Sequence, residues 1–199
     1  MAAQMTARAL LALGLVLSTP LAAQDYPSKP IRLVVPFAAG GPADMLARAI
    51  APSMSATLKQ SVVIENKAGA GGAVGVDTVA KAQADGHTIG LSGPGALVSV
   101  PFMTSVPYNV ERDIAPIARV ATVSGVIVAG PKTGLKSLAD LVAYAKARPG
   151  QVHFGSAGSG TTTHLAGELL NMEAGIKLVH VPYRGAAPGS PTCSAGTCS

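Results

Sequence analysis

The sequence predicts an α/β protein made of parallel strands joined by crossover helices. Three observations carry that expectation. Short apolar, β-branched runs alternate with helical patterns, beginning strand, helix, strand, helix, strand between residues 31 and 92. Gly (23) and Pro (15) punctuate the joints between them. Aromatics are only 4% and Trp is absent, so the 48% hydrophobic content is largely Ala, Val and Leu, which suits closely packed βαβ units.

The elements follow in order. Met1 to about Ala23 carries a positive amine and Arg8, an apolar stretch from Ala9 to Leu17, and a close in small residues, STPLAAQ. That core is too short to span a bilayer and reads as a secretory signal cleaved after Ala23. Tyr26-Pro27-Ser28-Lys29-Pro30 is an extended lead-in. Ile31 to Pro36 is the first strand, and AAGGPA leads into a helix from Asp44 to Leu58. Ser61 to Glu65 is the second strand, a glycine-rich turn from Asn66 to Gly75 opens a helix through about Ala82, and His87 to Ser92 is the third strand.

From Tyr108 the punctuation changes, with Pro107, Asn109 and Asp113 marking a connection before two apolar runs, Ala115 to Thr122 and Gly125 to Ala129. Ser137 caps an amphipathic helix to Ala147 with Asp140 in its first turn, and Pro149-Gly150 ends it. Val152 to Ser156 is a strand, AGSGTT a tight turn, His164 to Glu173 a helix and Lys177 to Val181 the last strand. The expected division is a signal peptide at 1–23, a first lobe at 24–106, a second lobe at 107–188 and an aberrant tail at 189–199, with the lobe boundary between 104 and 113.

Charge and cysteines exclude several functions. The net charge of +5 suits anionic ligands, but the fifteen Lys and Arg form no basic block and stacking aromatics are few, so no nucleic acid is expected as a partner. Cys193 and Cys198 lie in the last seven residues, which leaves no thiol nucleophile, metal thiolate or disulfide in the main fold.

Two segments share a design in which a strand enters a glycine-rich turn and then a helix: Val35 to Asp44 (VPFAAGGPAD) and Phe154 to His164 (FGSAGSGTTTH). Such a turn can direct backbone N–H groups and the positive end of a helix at a carboxylate or phosphate, or it can simply make a tight connection. Sharper motifs fail. The Gly155-x-x-x-x-Gly160 spacing is followed by Thr161 where a phosphate loop needs Lys, the dinucleotide pattern from Gly69 reaches Val74 where Gly is required, and Gly90-Leu91-Ser92-Gly93 runs into Pro94. No nucleophile and base pair can be named, so no enzyme and no cofactor are expected. Of the four histidines, His87, His153 and His180 read as strand residues; none has metal-helix spacing, and no metal is expected. His164 sits in the first turn after the second glycine loop, where it donates to a ligand or packs.

With these segments in view, the chain resembles the substrate-binding proteins of tripartite tricarboxylate transporters, the Bug receptors. YPSKPIRLVVPFAAGGPADMLAR, VVIENKAGAGGAVG, ADGHTI, VPYNVERDIAPIARV, SLADLVAYAKARPG, VHFGSAGSGTTTHLAGELL and VHVPYRGAAP carry the resemblance in order. It implies a periplasmic-binding-protein-like, Venus-flytrap α/β fold of two lobes that close on a small carboxylate in the periplasm and deliver it to membrane permease subunits. A periplasmic sensor coupled to a membrane kinase would share the same pocket. The ligand-binding residues it implies are Phe37, Ala38, Ala39, Gly40, Gly41 and Asp44 from the first loop, and Ser156, Ala157, Gly158, Gly160, Thr161 and His164 from the second. Asp44 cannot attract a carboxylate and is read as a helix-start or water-orienting residue.

The sequence departs from the family at Ala38, where proline is common after Phe, at His87, where tyrosine is common, and after Pro188. There the family continues PALTDLLGG, whereas this chain reads GSPTCSAGTCS, a tail that can encode LTDLLGRHVQ one base out of step. The expectation is a frameshifted, truncated receptor whose first lobe is incomplete, and a non-functional fragment is an alternative outcome.

Overall fold

The computed structural model describes residues 26–187. The signal-peptide reading and the tail with Cys193 and Cys198 lie outside the described residues. Among the described residues, five strands form two parallel sheets, one of three strands in the order β2-β1-β3 and one of two, β4-β5. The strands are β1 (Ile31–Val35), β2 (Val62–Asn66), β3 (Thr88–Gly90), β4 (Val152–Ser156) and β5 (Leu178–Pro182).

The central strand β1 is the apolar run IRLVV, and all of it but Arg32 is buried. A continuous apolar run belongs in a parallel strand covered on both faces. Helix α1 (Pro42–Leu58) covers one face, where Leu33 and Val35 pack with Ala47. Helix α2 (Ala73–Ala80) runs beside Pro36, so close that a Cβ on Gly75 would lie 2.6 Å from the Pro36 Cα. Beyond it Ala73 and Val76 join Ala96, Val100 and Tyr108 in a second buried cluster, and the Tyr108 hydroxyl donates to the Ala96 carbonyl at 2.7 Å. Because β1 passes to β2 on one side while β3 returns on the other, the carboxyl end of β1 is a switch point, the usual place for a ligand crevice in such sheets.

In the second sheet, Val152 to Ser156 run in register with Leu178 to Pro182. Helix α3 (Leu138–Lys146) begins where Ser137 Oγ accepts from the Asp140 N–H at 3.1 Å. Helix α4 (Thr162–Ala174) ends at Gly175 in the left-handed region, φ 59°, a conformation glycine adopts without penalty. Asn171 of α4 then braces β5 by exchanging two hydrogen bonds with the Leu178 backbone.

The structure differs from the expected elements in several places, among them the last helix, which starts at Thr162 and not His164, and unexpected helical segments at Gly95–Ser99, Val100–Met103 and Val110–Asp113. Helix α1 starts two residues early, at Pro42, because proline fits the first helical position and Gly41 is extended in front of it. The third strand shortens to Thr88–Gly90, although ladder bonds continue at both flanks, from the Arg32 N–H to the His87 carbonyl at 2.8 Å and from the Leu91 N–H to the Val34 carbonyl at 2.9 Å; the His87 N–H itself turns to Asp85 Oδ1 at 3.0 Å. The apolar runs 115–122 and 125–129 form no helix or strand; no strand among the described residues pairs with them, and Ile117, Val126 and Val128 are 83%, 82% and 74% exposed.

Candidate functional site

The first glycine loop leaves β1 at Pro36 and enters α1. Asp44, in the first turn of α1, is buried at 2% exposure and fixes this loop. Its Oδ2 accepts from the Gly40 N–H at 2.9 Å and from Arg48 Nε at 2.9 Å. Its Oδ1 accepts from Asn66 Nδ2 at 3.1 Å, and the same amide donates to the Phe37 carbonyl at 3.1 Å. The Arg48 bond, followed by the Gly40 amide, lowers the Asp44 carboxyl to about 2 against the opposing effect of its burial. Asp44 is thus a loop clamp at the helix start.

The second glycine loop joins β4 to α4 and is bonded largely to itself. Ser156 Oγ accepts from the Gly158 N–H at 3.1 Å, Thr161 Oγ1 donates to the Gly158 carbonyl at 2.6 Å, and Thr163 Oγ1 accepts from the Ala157 N–H at 3.1 Å. The Gly160 N–H donates to His164 Nδ1 at 3.1 Å. The expectation that these turns present a fan of free amides therefore needs narrowing. Phe37, Ala39, Gly41 and Ser159 are the loop positions whose N–H groups have no acceptor among the described residues.

A third glycine segment, Gly69 to Gly72, brings the two sheets together. Gly71 (φ 63°) lies so close to the second loop that a Cβ there would sit 2.2 Å from the Ser159 carbonyl oxygen, and a Cβ on Gly158 would meet Gly71 Cα at 3.2 Å. The first loop meets the end of β5 instead, where the Ala38 N–H donates to the Arg184 carbonyl at 3.1 Å. Between these segments is a cleft of about 180 Å³. Its walls are Phe37, Gly69 to Gly72, Ala157 to Ser159, and Pro182 to Arg184. Arg184 is the charged residue of this lining and forms no ion pair among the described residues. The Tyr183 hydroxyl is buried without a hydrogen-bond partner among the described residues.

Of the residues predicted to bind, Phe37, Ala157 and Gly158 line this cleft, and Gly160 lines an adjoining one of about 280 Å³ with Val100 and Met103. Ala38, Ala39, Gly40, Gly41, Asp44, Ser156, Thr161 and His164 are not among the residues that line either cleft; of these, Asp44 and His164 brace the glycine loops through the Gly40 and Gly160 amides. The sequence reading missed Gly69 to Gly72, Ser159 and Pro182 to Arg184. Two signals pointed to them: Gly69 to Gly72 is itself a strand-to-helix turn, and Tyr183-Arg184 lies just beyond the carboxyl end of a parallel strand. It also missed that His180 is more than a strand residue, because its Nε2 lies 2.6 Å from Ser156 Oγ.

Parallel α/β sheets whose glycine turns enclose a small cleft with an arginine at its edge define an α/β binding protein suited to small anions. The pattern of the tripartite tricarboxylate transporter family receptor matches residues 46–198, and the chain belongs to that family. BugT of Bordetella pertussis is 40% identical over 188 residues, covering 91% of this chain and 58% of BugT. Among solved structures, MatC of Rhodopseudomonas palustris with bound malate superposes with a TM-score of 0.80 at 30% identity, covering 86% of this chain and 58% of MatC. Rpa4515 of R. palustris with adipate does so with a TM-score of 0.76 at 32% identity, covering 86% of this chain and 57% of that one. The chain spans roughly half to three fifths of the length of the relatives it matches. Its fold is that of periplasmic solute-binding proteins, and the family is one of receptors.

Proposed function

We propose that this protein is a periplasmic receptor that captures a small carboxylate between its glycine loops and presents it to the membrane permease of a tripartite tricarboxylate transporter. The observation that carries this reading is the cleft between the Gly69–Gly72 and Ala157–Ser159 segments, walled by backbone and bordered by Arg184. The cleft, with about 180 Å³ open to water-sized groups, has room for a compact acid. Family membership and the malate and adipate held by two relatives point to the same ligand class. In this reading residues 24–106 and 107–188 are two lobes, Phe37, Ala157 and Gly158 touch the ligand, and the remaining residues of both loops hold those three in place.

Titration calorimetry of the protein against malate, adipate and longer or shorter dicarboxylates, in chelator, tests the proposal. Saturable binding of one or more acids without metal is expected. Binding of none of them, or binding only when a divalent ion is restored, overturns it.

A further inference from the structure

The two loops are clamped by the same device built from different chemistry. In the first turn of α1, Asp44 accepts the N–H of the glycine four residues before it at 2.9 Å; in the first turn of α4, His164 Nδ1 accepts the N–H of the glycine four residues before it at 3.1 Å. Asp44 is an acceptor at any pH well above 2. An imidazole is an acceptor only while one nitrogen is unprotonated, and near neutral pH that is a condition that can fail.

His164 is backed by a second imidazole. His180 of β5 stacks on it with ring centroids 3.9 Å apart and 29° between the planes. His180 Nε2 reaches Ser156 Oγ at 2.6 Å, and that oxygen accepts the Gly158 N–H at 3.1 Å. Phe154 lies on His180 at 5.1 Å, so the rings are layered. Ser156 is 6% exposed and bonded to the loop's own Gly158, so the Ser156–His180 contact serves the loop and not an incoming substrate.

We infer that His164 and His180 are positioning residues that hold the second glycine loop in its binding shape while His164 Nδ1 is unprotonated, so that ligand capture weakens as the medium turns acid. The inference rests on the carboxylate reading of the cleft for its binding consequence, and on the Gly160 and Gly158 hydrogen bonds for its structural one. A proton on Nδ1 would set two donors, that N–H and the Gly160 N–H, against each other, and the loop would have to move. The groups that face the pair are few. Glu168 of α4 lies with Oε1 3.8 Å from His164 Nε2; the two imidazoles face each other; from β4, Phe154 and Ser156 meet His180. Burial, and then the neighbouring His164, push the His180 imidazole below its ordinary value, with Glu168 pulling the other way. The sign follows: the clamp is intact above the imidazole's titration range and is lost as pH falls through it.

The first arm of the test needs no ligand. In the full chain, imidazole nitrogen and backbone amide resonances are followed by NMR from pH 8 to pH 5. The Gly160 amide should titrate with the same midpoint as His164 Nδ1, and in His164→Asn, whose carbonyl oxygen can replace the acceptor, it should stay flat. The second arm is calorimetry with malate. Wild type should bind more weakly at pH 5.5 than at pH 7.5, by at most about tenfold per pH unit, the slope that exclusion of one proton allows. His164→Asn should recover binding at pH 5.5 and lose the pH slope, while His164→Ala should bind weakly at both. A Gly160 amide that ignores the titration of His164, or a pH slope that survives in His164→Asn, overturns the inference. If no carboxylate binds at any pH, the ligand reading fails and the NMR arm still decides the clamp.

Discussion

Gly71→Ala isolates the contact on which the cleft depends. A Cβ at Gly71 would lie 2.2 Å from the Ser159 carbonyl oxygen and 3.0 Å from Val100 Cγ2. A carbon and a carbonyl oxygen settle at about 3.3 Å, so the two loops must separate by roughly 1 Å, and the opposing atom is backbone that cannot rotate away. Overpacking of this kind costs about 1–3 kcal/mol, and the left-handed φ of 63° adds about 1–2 kcal/mol for any residue with a Cβ. Two other glycines separate these terms. Gly134 has φ 69° with nothing within 4 Å of its would-be Cβ, so Gly134→Ala carries the strain alone; Gly93 has open space and no left-handed φ, so Gly93→Ala carries neither. The stabilisation that alanine gives by stiffening the unfolded chain is common to all three and cancels. Urea unfolding should rank Gly93→Ala about 0.4–1 kcal/mol above wild type, Gly134→Ala about 1–2 kcal/mol below Gly93→Ala, and Gly71→Ala at least about 1 kcal/mol below Gly134→Ala. Malate affinity should fall about tenfold in Gly71→Ala, equivalent to about 1.4 kcal/mol, and be unaltered in Gly93→Ala. If Gly71→Ala unfolds and binds like Gly134→Ala, the meeting of the two loops is not what shapes the cleft.

Three further expectations follow from particular bonds and exposures. Asp44 titrates near 2 against about 3.9 in an unfolded chain, so its stabilising effect is complete above about pH 4 and is lost as pH falls through 2. Acid unfolding followed by circular dichroism should show Asp44→Asn less stable than wild type by on the order of 1–2 kcal/mol at pH 6, with the gap closing toward pH 2. Tyr108→Phe removes the donor to the buried Ala96 carbonyl and should cost about 1–3 kcal/mol in urea unfolding; an unchanged midpoint would contradict that bond. Amides 115–129 should exchange with deuterium at rates near those of a free chain while the amides of β1 are the slowest, and protection across 115–129 would refute the unpaired conformation.

Strands β1, β2 and β5 were legible because each opens on an apolar, β-branched run, IRLVV, VVIEN and LVHVP, of which β1 is buried on both faces apart from Arg32 while β2 and β5 are only partly covered. Residues 115–129 carry such runs as well and form no strand. An apolar run states what a segment can do, and only a neighbour with free backbone groups makes it do so. The site divides in the same way. The glycine loops could be read because the turn from strand to helix is local, and so is each clamp: Asp44 and His164 both stand four residues after a glycine at the start of a helix. Arg184, Ser159 and Gly71 could not be joined to one wall from sequence, because a close approach between distant turns leaves no local pattern beyond a glycine that any turn might use. His180 shows the limit most sharply. Its alternation within KLVHV assigns it to a strand, and that is correct; its contact with Ser156 exists only because β4 and β5 run in parallel with Phe154 opposite His180 and Ser156 opposite Pro182. Shifting that register by one residue would turn the imidazole to the other face of the sheet and separate it from both Ser156 and His164. The register of two strands therefore decides whether the second loop carries a titratable support, and the evidence for it lies in the pairing and not in either segment alone.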